Sequence, residues 1–257
     1  MPGDRGYNAA IDTLDQALLQ LVRTRRAATQ DPPEDLLSRL LAVQDADSGE
    51  RMSDKQIRDE IVTLFVAGQD TTSATLSWLF YLLDRHPEIF ERLRAEINEV
   101  LGDRRPTVED LSRLSYTQRV LQEVMRLYPA GWVSPRFSNQ EATLGSYAIP
   151  ANKLILLSPY VTHRDPSHWG ERPDDLDPDH FLPERVAKRH RYAYFPFSGG
   201  SRQCIGNHFF MMEAQLILTQ IVRRIHPRLP SRKVVQYDAL GNLRPRNGLL
   251  MKLERAS

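Results

Sequence analysis

The chain has 257 residues, 41% of them hydrophobic and 26% charged, which excludes a disordered tail and allows one large core or two small ones. Its 34 Lys and Arg stand against 33 Asp and Glu, a net charge of +1, so no global charge recruits nucleic acid or an anionic membrane. The single cysteine excludes an internal disulfide, and it excludes an iron–sulfur cluster held by several thiolates of this chain.

From the N-terminus, residues 7 to 29 carry Ile11, Leu14, Leu18, Leu19, Leu21 and Val22 at helical period and end in the basic run Arg23-Thr24-Arg25-Arg26. The opening MPGDRGYNAA lacks the apolar centre of a secretory signal, and no run approaches the ~20 apolar residues of a membrane span. The polypeptide therefore reads as soluble, and its lone thiol suits a reducing, cytoplasmic compartment. After the break Asp31-Pro32-Pro33, residues 35 to 43 form a short amphipathic helix and 45 to 49 a loop. Ser53 caps a long helix running to about Arg85, whose middle, IVTLFVAG, is apolar almost all round and is expected to pass through the core.

Pro87 starts the next helix and Gly102 ends it. A short helix near 108 to 114 precedes one from about Tyr116 to Leu127, and then the texture changes. Residues 132 to 138, 142 to 149 and 153 to 157 are short β segments joined by Gly, Asn and Pro turns. A Pro- and Asp-rich meander fills 165 to 193, a glycine-rich loop 197 to 206, and an apolar helix about 206 to 225. Two further strands are expected at 233–238 and 249–253. The fold class is mainly α with small β-sheets.

The loop Phe197-Ser198-Gly199-Gly200-Ser201-Arg202-Gln203-Cys204-Ile205-Gly206 carries the strongest chemical signal. Its glycines permit close approach of a flat ligand. Cys204 precedes a helix N-terminus, whose positive dipole end favours an anionic sulfur. Outside such a setting a free cysteine is more often a small buried hydrophobe.

The pattern Phe197, Gly200, Arg202, Cys204 and Gly206 resembles the haem-binding signature of the cytochrome P-450 family, the haem-thiolate monooxygenases. The resemblance implies haem b (iron protoporphyrin IX) with Cys204 as its axial metal ligand, Phe197 packed behind the sulfur, and Arg202 and Arg136 on the propionates. It extends over nearly the whole chain, read as one partial cytochrome P-450 domain (1–257) with the N-terminal part of the family's fold missing. A membrane anchor in some relatives would lie in that part.

Three other stretches gain meaning from the same resemblance. Ala67-Gly68-Gln69-Asp70-Thr71-Thr72-Ser73 places an acid and hydroxyls in an apolar helix. It is either a solvated cluster or a kinked polar notch. By resemblance Asp70 and Thr71 form the proton relay to bound dioxygen, with Ala67 and Gly68 leaving room for the ligand. Glu123 and Arg126, three apart on one helix face, are an ordinary ion pair by spacing and the family's Glu-x-x-Arg structural lock by resemblance. The third member of that lock is normally an arginine in an aromatic-x-Pro-x-Arg pattern. Here Leu176 stands at the aromatic position and His180 at the arginine, and Arg185 serves instead only if the local register differs. Trp132 and Val133 are candidates for the substrate pocket or for plain packing.

The basic run Arg185, Lys188, Arg189, His190, Arg191 is a solvated meander or a dock for an acidic electron donor. An external ferredoxin, flavodoxin or reductase is implied, together with dioxygen and an apolar small-molecule substrate. Two alternatives to oxygen insertion remain open. One is a haem protein without monooxygenase turnover, a sensor or peroxide-driven, and the other is a remnant that binds no haem.

Overall fold

The computed structural model describes residues 3–28, 33–231 and 234–255. They divide into one unit up to Gln69 and a second from Asp70 onward.

The first unit holds helices α1 (Arg5–Ala27) and α2 (Leu36–Ala42) and the start of α3 (Asp54–Arg85). Ser53 caps α3 as its sequence suggests: its hydroxyl accepts from the Gln56 amide and its own amide donates to Gln56 Oε1, a reciprocal pair that satisfies orphan donors. Val22, Leu37 and Ile57 form a small apolar centre with Leu40, Leu41, Met52 and Ile61 against it. Around it Arg25 pairs with Asp35 at 2.7 Å and Arg26 with Asp54 at 2.9 Å.

The second unit contains the main core. Helix α3 contributes Trp78, Leu79 and Leu83 to it. Helix α4 (Pro87–Leu101) adds Phe90, Leu93 and Ile97, α5 (Ser115–Leu127) adds Val120, Leu121 and Val124, and the later α9 (Asn207–Val222) adds Ala214 and Leu218. The indole of Trp78 stacks on Tyr128 at 4.1 Å and donates to the Leu243 carbonyl. Its polar end is thereby satisfied inside the core.

After α5 the chain makes β1 (Ser134–Phe137), β2 (Ala142–Leu144), β3 (Tyr147–Ile149) and β4 (Leu154–Leu157). Strands β1 and β4 pair antiparallel with Ser134 opposite Leu157, and β2 and β3 form a hairpin whose turn needs the positive φ of Gly145. The meander consists of the short helices α6 (Pro159–Thr162), α7 (Pro166–Trp169) and α8 (Pro183–Val186) with 3₁₀ turns between them. Proline at the first position recurs in all three. Helix α9 (Asn207–Val222) leads to β5 (Ile225–Arg228), β6 (Tyr237–Asp238), β7 (Arg244–Pro245) and β8 (Lys252–Arg255), paired as β5 with β8 and β6 with β7.

Three expectations are corrected. Most of the apolar middle of α3 is not in a core: after Ile57 and Ile61, which pack in the small centre of the first unit, Phe65 is 65% and Val66 58% exposed, and burial resumes only near Thr72, where α4, α5 and α9 supply the packing surface. The helix after the cysteine loop stops at Val222, because residues 225 to 228 leave it to pair with the C-terminal strand. The short helix expected near 108 to 114 is present, as a 3₁₀ helix over 108–113. The two expected C-terminal strands lie later than their apolar runs, at Tyr237–Asp238 and Lys252–Arg255, their partners are Arg244–Pro245 and Ile225–Arg228, and Lys233 lies outside the described residues.

Candidate functional site

The cysteine loop is a tight turn set in front of α9. The Cys204 amide donates to the Phe197 carbonyl at 3.0 Å, and the Ser198 amide to the Phe195 carbonyl at 3.0 Å. Gly200 has φ +70, a conformation that favours glycine. Gly199 is extended, and its reason is space: a Cβ there would lie 3.0 Å from Cε1 of Tyr192. Gly206, by contrast, sits at φ −82 and a Cβ would meet Cys204 Sγ at an ordinary 3.7 Å, so neither backbone nor crowding demands glycine there. Phe197 packs on the core with its ring 5.7 Å from that of Phe210.

The thiol of Cys204 is exposed. Near it in sequence Ile205 is 90% and Phe209 62% exposed, large apolar side chains left open to solvent. Arg136, on β1, reaches the loop: its guanidinium donates to Ser198 Oγ at 2.8 Å and to Ser134 Oγ at 2.8 Å. Arg202 is exposed, and neither arginine has a carboxylate partner among the described residues. A soft sulfur, uncovered apolar side chains and two guanidinia without a carboxylate partner among the described residues fit a flat apolar ligand with an acidic edge and a thiophilic metal, which is the chemistry of haem. Two cavities, of about 570 and 510 Å³, lie elsewhere, and no residue of the loop lines either. Among the described residues no group of three or more His, Cys, Asp or Glu could hold a metal ion.

Glu123 and Arg126 are both 0% exposed, which removes the surface-pair reading. All five N–H donors of the guanidinium are used. Nε and Nη2 reach the Glu123 carboxylate at 2.8 and 2.6 Å, while the remaining donors take the carbonyls of His163, Pro173 and Asp175. The third member is His180: its Nδ1 lies 3.1 Å from Glu123 Oε1, which also accepts from the Asp177 amide. Arg185 does not substitute for it and pairs with Asp177 at 3.1 Å. Leu176 packs against the main core. Thus α5 is bolted to the meander by a buried charge pair whose lone pairs and protons are satisfied.

Asp70 and Thr71 sit on an unbroken α3. The hydroxyls of Ser73, Thr75 and Ser77 bond back to the carbonyls of Asp70, Thr71 and Ser73, so the cluster is absorbed by the helix without a break. The Asp70 carboxylate is half exposed, accepts from Asn242 Nδ2 at 2.5 Å and lies 3.9 Å from Arg244. Ala67 and Gly68 are exposed on the same helix in the other unit, and a Cβ on Gly68 would meet open space. Trp132 donates to the carbonyls of Ala239 and Gly241, which ties it to the C-terminal segment. Part of the basic run is committed: Arg185 to Asp177, Arg189 to the His180 carbonyl and the face of Trp169, and Arg191 to its neighbour Tyr192.

Sequence reasoning missed three partners. Ser198 and Asn242 carry no pattern of their own. His163, fully buried, accepts from the Phe195 amide, and burial pulls its imidazole down to about 3. The same burial pushes the Tyr194 phenol up.

A family model described as Cytochrome P450 matches residues 2–251. The chain is 41% identical over 235 residues to cyclooctatin synthase of Streptomyces melanosporofaciens, covering 91% of this chain and 51% of that protein. It is 37% identical over 222 residues to human Cytochrome P450 4V2, covering 85% and 42%. The crystal structure of the cytochrome P450DA heme domain superposes with a TM-score of 0.93 at 30% identity, covering 99% of this chain and 56% of that one. The chain spans about half the length of these relatives. With the cysteine loop, the buried Glu-x-x-Arg pair and the helical core in place, the chain belongs to the cytochrome P450 family.

Proposed function

We propose that this chain serves a haem-thiolate monooxygenase, with Cys204 as the iron ligand. The observation that carries the reading is the exposed thiol in its loop, together with Arg136 and Arg202, whose guanidinia no carboxylate among the described residues claims. Haem b, when bound through a thiolate, activates dioxygen so that one oxygen atom enters an apolar substrate and the other leaves as water, using two electrons and two protons. Arg136 and Arg202 orient its acidic edge. Phe197 excludes water behind the sulfur, and Gly200 keeps the turn that aims it.

Proton supply falls to Asp70 and Thr71. The Asp70 carboxylate reaches solvent while Asn242 and Arg244 hold it, so it can take a proton from bulk water and pass it through water to Thr71 Oγ1. His180, Glu123 and Arg126 act structurally. An apolar substrate is supported by relatives named cyclooctat-9-en-7-ol 5-monooxygenase and pentalenene oxygenase, 39% identical each. The electron donor is external and acidic, and Lys188 and Arg191 are the exposed cations it meets. Reversing both charges raises the donor's apparent KM at low salt, and an unchanged value would remove this dock. Among the described residues no helix is long and apolar enough to cross a membrane, and a lone thiol suits a cytoplasmic setting.

The test is the carbon monoxide difference spectrum of the reduced, haem-loaded protein. A thiolate-type band that disappears in Cys204→Ala is expected. A histidine-like band, no band, or a band indifferent to that substitution would overturn the assignment.

A further inference from the structure

His163 follows α6 and is 0% exposed. Its ring is used at both nitrogens. The Phe195 amide donates to Nε2 at 2.9 Å, which requires a lone pair there, so the proton of the neutral ring sits on Nδ1, 3.3 Å from the Arg126 carbonyl. The His163 carbonyl in turn accepts from Arg126 Nη1 at 2.8 Å. One residue therefore touches the buried charge pair at two points and the approach to the cysteine loop at a third. Downstream the bonding is sequential: the Phe195 carbonyl receives the Ser198 amide and the Phe197 carbonyl receives the Cys204 amide. Upstream, Tyr194 is pinned separately by its hydroxyl to the Gln122 carbonyl.

We propose that His163 is a positioning residue for Cys204, transmitting the placement of the Glu123–Arg126 pair to the loop through the lone pair on Nε2. Packing alone does not account for the arrangement. A buried side chain that only filled space would leave the Phe195 amide without an acceptor, and buried amides are almost always paired. The structural half of this claim stands on the hydrogen bonds, and only its meaning for iron ligation rests on the haem-thiolate reading.

Two isosteres separate the bonds. In His163→Gln the amide oxygen falls about where Nε2 lies and keeps the acceptor. In His163→Asn the amide nitrogen falls near Nδ1 and keeps only the bond to Arg126, and His163→Leu removes both. Amide hydrogen exchange over residues 194–200 of the full chain reports the loop without any haem, and the fraction of thiolate-type carbon monoxide band reports it with haem. Gln is expected near wild type in both, whereas Asn and Leu should speed exchange by about 10-fold, the loss of one net hydrogen bond, and lose most of the band. Gln behaving like Leu, or all variants exchanging alike, would overturn the proposal, as would altered exchange with an intact band. Should even the wild type lack the band while exchange still follows the acceptor, the haem-thiolate reading falls and the His163 link stands.

Discussion

The Glu123–Arg126–His180 cluster and the Cys204 loop differ in almost every physical respect. The first is dry, with each guanidinium proton of Arg126 placed and the carboxylate of Glu123 shared among four donor groups of three residues. The second is wet, with its sulfur exposed, Arg136 held only by hydroxyls and a carbonyl, and Arg202 exposed. The contrast divides labour. Removing one partner is costly in the dry cluster, whereas the proposed iron ligand stands where substitution costs the fold little.

The largest expected effect falls on the dry cluster. Arg126→Met strands the buried Glu123 and should destabilise the protein by about 3–5 kcal/mol, measured by urea unfolding. Next comes acid. Burial holds His163 at about 3, below its ordinary 6.5, so the fold prefers the neutral ring. Its contribution is complete above pH 6.5 and is lost as pH falls toward 3, about 2 kcal/mol by pH 5. Arg126 and Arg164, the cations facing the ring, act in the same direction. In His163→Gln this dependence should flatten, and a wild-type slope in that variant would contradict it. His180→Leu removes one bond to Glu123 from a side chain 13% exposed and should cost about 1.5 kcal/mol. Smallest is Cys204→Ala, within about 0.5 kcal/mol of wild type although it removes the proposed ligand. A large loss there would erase the contrast.

Much of this was legible before any coordinates. Helix starts at Ser53 and Pro87, the stop at Gly102 and the Glu123–Arg126 spacing are local signals, and local chemistry decided them. The cysteine loop was readable as a pattern because its turn needs particular residues such as Gly200. Burial was not legible. IVTLFVAG looks like core in one dimension, yet Phe65 and Val66 remain uncovered, since apolar periodicity states a preference and not the presence of a neighbour. His163 escaped notice because its partners are backbone groups 32 and 37 residues away, which carry no side-chain signature.

The ring of Tyr192 occupies the space that any side chain on Gly199 would need. The two positions are consequently coupled: a larger residue at 199 requires the half-exposed ring of Tyr192 to move aside or to be replaced by a smaller side chain. The evolutionary latitude of the loop is thus set by its neighbour in the meander as much as by the metal chemistry assigned to it.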